Sequence, residues 1–288
     1  MGVNDILFQV LTGVGKGMNL FLLASGLSLI YGVLNVVNFA HATFYLLAAF
    51  ICYSIASIFP GGFWISLVVA PVAVAALGVF AERLFSRLYD KEHYTQIMLA
   101  WALILVFGDL MKLTWGREGK MVATPPFLSG GIFMLGGSFP VTYLFVIFIA
   151  GAVAFLLYLA LYRTRIGIFV RAAAADAEMT SALGIPVEVL YSGVFVVACW
   201  LAGLGGVVST LLSPVFLGAD LEVILSAFII VIIGGMGSVL GALIGSLIYG
   251  VIYSLGVLAL PRFAIVFLYI LMVLVLIFRP YGILGKPR

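Results

Sequence analysis

The sequence predicts an all-α polytopic membrane protein, and two observations carry that prediction. Apolar residues make up 65% of the 288 and charged residues 9%, against roughly 45–50% and 25% in an average soluble domain. Residues 17–81 contain no Lys, Arg, Asp or Glu, and a stretch of that length holds three crossings at roughly 20 residues each.

Cutting the chain at charges, prolines and glycine clusters leaves apolar runs at 17–33, 39–59, 63–82, 96–114, 141–162, 188–212, 223–258 and 263–279. They are too long and too continuously apolar for barrel strands, which alternate lipid-facing and lumen-facing residues over about ten positions. Each therefore reads as helix. The first residues, Met-Gly-Val-Asn-Asp, lack the basic region and small-residue cleavage site of a signal peptide, so the first run is expected to stay in the chain. Cys52 and Cys199 both lie inside apolar runs and are expected to pack as small hydrophobes. The net charge of +3 is spread over short loops, which leaves no nucleic-acid footprint.

Two stretches are not simple spans, and they resemble each other. The first reads Gly26-Leu-Ser-Leu-Ile-Tyr-Gly-Val-Leu-Asn-Val-Val-Asn-Phe-Ala-His41 and continues into helix from Ala42. The second reads Phe228-Ile-Ile-Val-Ile-Ile-Gly-Gly-Met-Gly-Ser238 and continues through Gly250. A break inside a membrane frees backbone groups that lipid cannot satisfy, so it is tolerated where protein buries it or where it lines a watery cavity. Corresponding breaks in two halves of a chain point to a transport pathway built from internal repeats. Asn35, Asn38, Phe39 and His41 in the first, and Gly234, Gly235, Gly237 and Ser238 in the second, are the candidate pathway residues. Close helix packing is the competing explanation for glycines, and it suffices for Gly241, Gly245 and Gly250. A histidine at such a place is either bonded to a backbone carbonyl or functional, and spacing does not decide between them.

Orientation follows from three basic clusters: Arg83, Arg87 and Lys91; Arg163, Arg165 and Arg171; and Arg279, Lys286 and Arg288. The positive-inside rule puts all three in the cytoplasm. The last requires an even number of crossings after Arg171, which holds only if the run at 223–258 folds as two legs around Gly234 to Ser238. Eight or nine crossings result, with a cytoplasmic C-terminus; Lys112, Arg117 and Lys120 fall on the other side and oppose this arrangement.

The longest polar stretch of the second half, 163–186, is rich in helix formers and ends in Gly184 and Pro186, a stop signal. A short helix is expected there on the cytoplasmic face. It either joins two spans or fits a groove on a partner, for which its small residues Ala174, Ala175, Ala182 and Gly184, beside Asp176 and Glu178, are suited.

The chain resembles the inner-membrane permease subunits of bacterial ABC importers for branched-chain amino acids, the LivH type. The matching stretches are Tyr31-Gly32 through Asn38-Phe39-Ala40-His41, Arg163 through Gly184, Gly234-Gly-Met-Gly-Ser238 with Gly241-Ala242, and Gly282-Ile-Leu-Gly285-Lys-Pro287. Ala42 departs from the family, which usually has glycine there. The resemblance implies one permease domain over 1–288, with 163–186 as a coupling segment that docks on an ATPase subunit through Arg171, Ala175, Asp176, Glu178, Ala182, Leu183 and Gly184. It also implies a translocation path near Asn38, His41 and the Gly234 to Ser238 turn. Its implied partners are two ATPase subunits that hold ATP and Mg, a second permease that is LivM-like, an external binding protein, and membrane lipid. No cofactor is expected on this chain, which has no Gly-x-x-x-x-Gly-Lys-Ser/Thr phosphate loop. Hydrophobic amino acids are the expected cargo; urea, short amides or aromatic acids are the alternative. An ion-coupled carrier would hold ionisable groups in mid-membrane, and Asp109, Asp220 and Glu222 read as end or loop residues. An intramembrane serine protease needs a histidine near Ser238, whereas His41 adjoins the other break and His93 a charged loop.

Overall fold

Lipid offers no hydrogen bonds to a peptide group, so uncharged apolar sequence of this length satisfies its backbone as helix. The computed structural model describes residues 3–89, 91–134 and 137–285; Lys286, Pro287 and Arg288, which complete the third basic cluster and the last family motif, lie outside these. In chain order the elements are α1 (Val3–Leu34), α2 (His41–Ile58), α3 (Gly62–Phe85), α4 (His93–Trp115), β1 (Gly131–Met134), β2 (Gly137–Pro140), α5 (Val141–Arg163), α6 (Arg165–Ala175), α7 (Ala177–Ala182), α8 (Val187–Ser209), α9 (Ala219–Gly234), α10 (Val239–Ala259) and α11 (Ala264–Phe278). Among the described residues eight helices are long and apolar enough to cross a membrane: α1 to α5, α8, α10, and α11 with the short turn before it. At 16 residues, about 24 Å, α9 forms a hairpin with α10 and supplies a shorter ninth leg.

The sequence-based boundaries fail in four places, each for a physical reason. The first helix begins at Val3 rather than at 17, because one lysine does not end a helix. The expected single helix at 163–184 is two, since Asp176 leaves helical geometry and its Oδ1 accepts the Met179 N–H at 2.8 Å as the cap of α7. Asp220 and Glu222 belong to the first turn of α9, not to a loop; Asp220 is buried and accepts a hydrogen bond from Thr43 Oγ1 at 2.9 Å. Finally, 131–134 and 137–140 pair as antiparallel strands with Gly131 opposite Pro140, a short element that a division into long apolar runs passes over.

The bundle is built around α1, the most buried span, while α5 and α11 are the least buried. Contact between α1 and α10 is antiparallel and backbone to backbone. A Cβ added at Gly13 would fall 2.6 Å from the Gly250 carbonyl oxygen, and one at Gly17 or Gly250 would meet Ser246 or Gly13 closer still. Glycine is thus required by the approach itself. Gln9 and Ser254 lock the same seam, the Gln9 amide donating to the Ser254 carbonyl at 2.9 Å and the Ser254 hydroxyl to the Gln9 carbonyl at 2.8 Å. Both cysteines are buried and free.

Two faces emerge from these contacts. One carries Arg83, Arg87 and Lys91, the α6–α7 pair and Arg279, and is called the basic face below. On the far face the connections after α4 and α8 pair through Lys120 and Val215, with N–H···O distances of 2.7 and 2.8 Å, and Phe8 of α1 packs on Phe139 of β2. The N-terminal end of α1 therefore lies on the far face. Four legs, α8 to α11, separate Arg171 from Arg279, which returns the chain to the basic face.

The glycine seam makes a direct prediction. Gly250→Leu overpacks the α1–α10 contact and is expected to cost about 3 kcal/mol or more, read as a lowered Tm and loss of a monodisperse peak in detergent. Gly108→Leu, where an added Cβ meets nothing within 4 Å, is expected to leave both unchanged.

Candidate functional site

The first break is a stretch of non-helical chain folded back into the bundle. α1 ends at Leu34, Asn35 turns with φ 55°, and residues 36–40 return along the helix until His41 lies against Gly26, about 12 Å back up α1 by helical rise. A Cβ at Gly26 would stand 2.7 Å from His41 Nε2 and 2.9 Å from the Ala198 carbonyl oxygen, so this glycine opens the slot in which α1, α2 and α8 hold the imidazole. Phe39 closes the slot from the side, its ring centroid 4.8 Å from Phe228 of α9 and 6.5 Å from Trp101 of α4. Asn38 and His41 are fully buried. Both amide atoms of Asn38, both ring nitrogens of His41 and the Ser28 hydroxyl have no hydrogen-bond partner among the described residues. The Leu23 carbonyl lies beside the imidazole without reaching hydrogen-bond geometry.

The second break is a tight turn at the basic face. α9 stops at Gly234 because Gly235 and Gly237 take φ values of 107° and 85°, which side chains resist, and Ser238 restarts the chain by capping α10 with its hydroxyl on the Gly241 N–H at 3.0 Å. The freed carbonyls of Ile233 and Gly234 accept the N–H groups of Ile283 and Leu284, each at 2.9 Å. The C-terminal Gly282-Ile-Leu-Gly285 motif is thus the cap of α9.

These two breaks touch. A Cβ at Gly32, one turn before the first break, would fall 2.9 Å from Gly237 Cα. α6 lies against the same place: Ser28, Gly32, Tyr162, Arg171, Ala174 and Gly237 all line one cleft of about 80 Å³. Thr164 caps α6 on the Gly167 N–H at 3.1 Å. Arg171 is fixed across the α5–α6 corner, donating to the Leu161 carbonyl at 2.9 Å and lying 5.1 Å from the Tyr162 ring centroid. Ala175, Asp176, Glu178, Ala182, Leu183 and Gly184 face outward and are exposed. Met179 and Leu183 add apolar surface there. On the neighbouring basic loop Tyr89 donates to the buried Glu82 at 3.2 Å; burial, reinforced by that carboxylate, pushes the phenol well above its ordinary range and keeps it a donor.

One feature of the site escaped the sequence. A larger cavity, about 360 Å³, opens between α1, α9, α10 and α11 and is lined by Lys16 and Asn19. The signal was present, since a lysine between apolar residues of one span marks function by default, but treating charges as run boundaries placed Lys16 outside the helix it belongs to.

Apolar spans, two joined by a mostly buried non-helical break and two others turned on glycines, with an exposed helical pair on the basic face beside both breaks, define a membrane transport permease. Residues 9–276 match the family described as branched-chain amino acid transport system / permease component, and the chain belongs to that family. It is 30% identical over 301 residues to the high-affinity branched-chain amino acid transport system permease protein LivH of Salmonella typhimurium, covering 97% of this chain and 96% of the relative. BraD of Pseudomonas aeruginosa, a permease protein of the same description, is 28% identical with 97% and 96% covered. A probable LivH of Methanocaldococcus jannaschii is 28% identical with 92% and 88% covered. Membership makes the chain a multi-pass permease component that works with other subunits of a transport system.

The tail contact is testable. At Gly235 a side chain meets both a φ of 107° and Gly285 Cα at 2.6 Å, so Gly235→Ala is expected to release residues 282–285. Hydrogen exchange at the Ile283 and Leu284 amides should then quicken by about tenfold or more. Exchange as slow as in the wild type would show that the tail does not depend on this glycine.

Proposed function

We propose that this chain is the membrane gate of an ATP-driven importer for branched-chain or other hydrophobic amino acids. It sits in the bacterial inner membrane with the basic face toward the cytoplasm. Substrate class comes from the named function of the relatives, and the orientation from the concentration of arginines on one face. Two ATPase subunits bind and hydrolyse ATP, a second permease completes the pore, and an external binding protein delivers the solute. This chain performs no bond chemistry.

The single observation that carries the mechanism is the cleft shared by α6, Gly32 and Gly237. A push on α6 and α7 reaches both breaks without passing through a long helix. Breaks joined by glycine contacts shift as discrete elements because packed interfaces are bistable rather than continuously deformable. The buried, unpaired groups of Ser28, Asn38 and His41 fit this scheme. Each costs about 1–3 kcal/mol while unpaired, a cost relieved when the moving bundle admits water or solute. This conformer is therefore primed to open.

Leu183 is 74% exposed at the tip of the segment and fills a pocket on the ATPase. Leu183→Asp is expected to lower ATP-driven leucine uptake about tenfold, the loss of one buried leucine, with unchanged protein in the membrane and loss of ATPase stimulation by loaded binding protein. Normal uptake together with normal stimulation would refute the coupling role.

A further inference from the structure

The 360 Å³ cavity between α1, α9, α10 and α11 is of a size used by small-molecule sites, and its two charged groups, Lys16 and Glu222, are of opposite sign. Lys16 enters it from the middle of α1, half-buried, with its Nζ 4.8 Å from the Tyr253 ring centroid; among the described residues no carboxylate pairs with it. One turn further on, Asn19 is 6% exposed. Its Nδ2 donates to the Tyr45 hydroxyl at 3.1 Å, and its Oδ1 is buried without a partner. Turning the amide over exchanges the two atoms and leaves the nitrogen orphaned instead. Glu222, in the first turn of α9, lines the same cavity and is exposed. Leu225, Ile229, Ile265 and Leu268 form an aliphatic part of the wall, beside Tyr249, Tyr253 and Tyr269.

We infer that the cavity is a transit site for a single zwitterionic α-amino acid with an aliphatic side chain. The Lys16 ammonium takes the carboxylate, Asn19 Oδ1 and Glu222 accept hydrogen bonds from the amino group, and the leucine and isoleucine wall takes the side chain. Other solute classes leave part of the site unanswered. A simple anion faces Glu222, a simple cation faces Lys16, and a neutral amide answers Asn19 but neither charge. A zwitterion answers both charges and the Asn19 amide, and an aliphatic side chain suits the leucine and isoleucine part of the lining. The cation–π contact to Tyr253 holds Lys16 in place without neutralising it, which keeps its charge available. This inference deepens the import reading and rests on it.

The test uses the assembled importer in membrane vesicles with photo-leucine, a leucine analogue that carries a diazirine in its side chain, as the probe. After illumination the adducts are mapped by mass spectrometry, alongside uptake of labelled L-leucine by the same vesicles. Adducts are expected on 225–229 and 265–268, blocked by excess L-leucine but by neither isovalerate nor 3-methylbutylamine, each of which lacks one of the two charges. Lys16→Met should reduce labelling about tenfold, and Lys16→Arg should largely restore it. A merely structural lysine would tolerate methionine in a span and show no such dependence on charge. Adducts confined to other segments, or undiminished in Lys16→Met, with leucine uptake intact, overturn the site while the import reading stands. Wild-type vesicles that take up no aliphatic amino acid overturn the import reading and the site with it.

Discussion

Five residues of non-helical backbone, 36–40, run from the basic face back into a bundle where lipid supplies no hydrogen bonds, and the surrounding helices cover them. α1 runs behind the segment, α8 meets α1 at Gly26 through Ala198 beside His41, and α9 closes the segment through Phe228 against Phe39. The same constraint acts at the other break, where the carbonyls that end α9 accept the N–H groups of Ile283 and Leu284. A chain that only needed to cross the bilayer would have no use for either device. Both are consistent with irregular backbone being kept where a pathway needs something other than a smooth helix wall.

Glycine does two different jobs in this bundle, and geometry separates them. At Gly13, Gly17 and Gly250 it removes side chains so that α1 and α10 meet backbone to backbone, which van der Waals packing rewards in a solvent as apolar as leucine. At Gly235 and Gly237 it supplies positive φ. Gly26 and Gly32 belong to the first kind by conformation, yet what they admit is the imidazole of His41 and the turn at Gly237. Gly13 and Gly17 face α10, whereas Gly26 faces His41 and α8 and Gly32 faces the turn at Gly237; the same residue type serves both settings, which is why the two readings compete when only the sequence is in hand.

The spans were legible because hydropathy outweighs every other preference in lipid and is written residue by residue. The hairpin of α9 and α10 was legible by parity, since an even number of legs is needed to bring Arg279 back to the face of Arg171. Less visible were features set by one side chain in competition with a helix. Asp176 splits residues 163–184 into two helices by capping α7, although their composition alone favours a single helix. Lys16 sits mid-helix, but a rule that cuts at charges hides it. That Gly32 and Gly237 touch, and that Arg171 shares their cleft, is information about spatial proximity that no periodicity contains. Equally, no pattern reveals that the Gly282 to Gly285 motif serves as the cap of α9, because its partners lie some 50 positions earlier in the chain.

The claim that joins these parts is that the exposed face of α6 and α7 is a docking surface for ATPase subunits, which makes the chain one component of a larger importer. The most direct test is to extract the tagged chain from its native membrane in mild detergent and identify what accompanies it by mass spectrometry. Stable recovery of an ATPase and a second permease is the predicted result. Recovery of the chain alone, monodisperse and stable, would contradict it and make this protein a stand-alone carrier or channel.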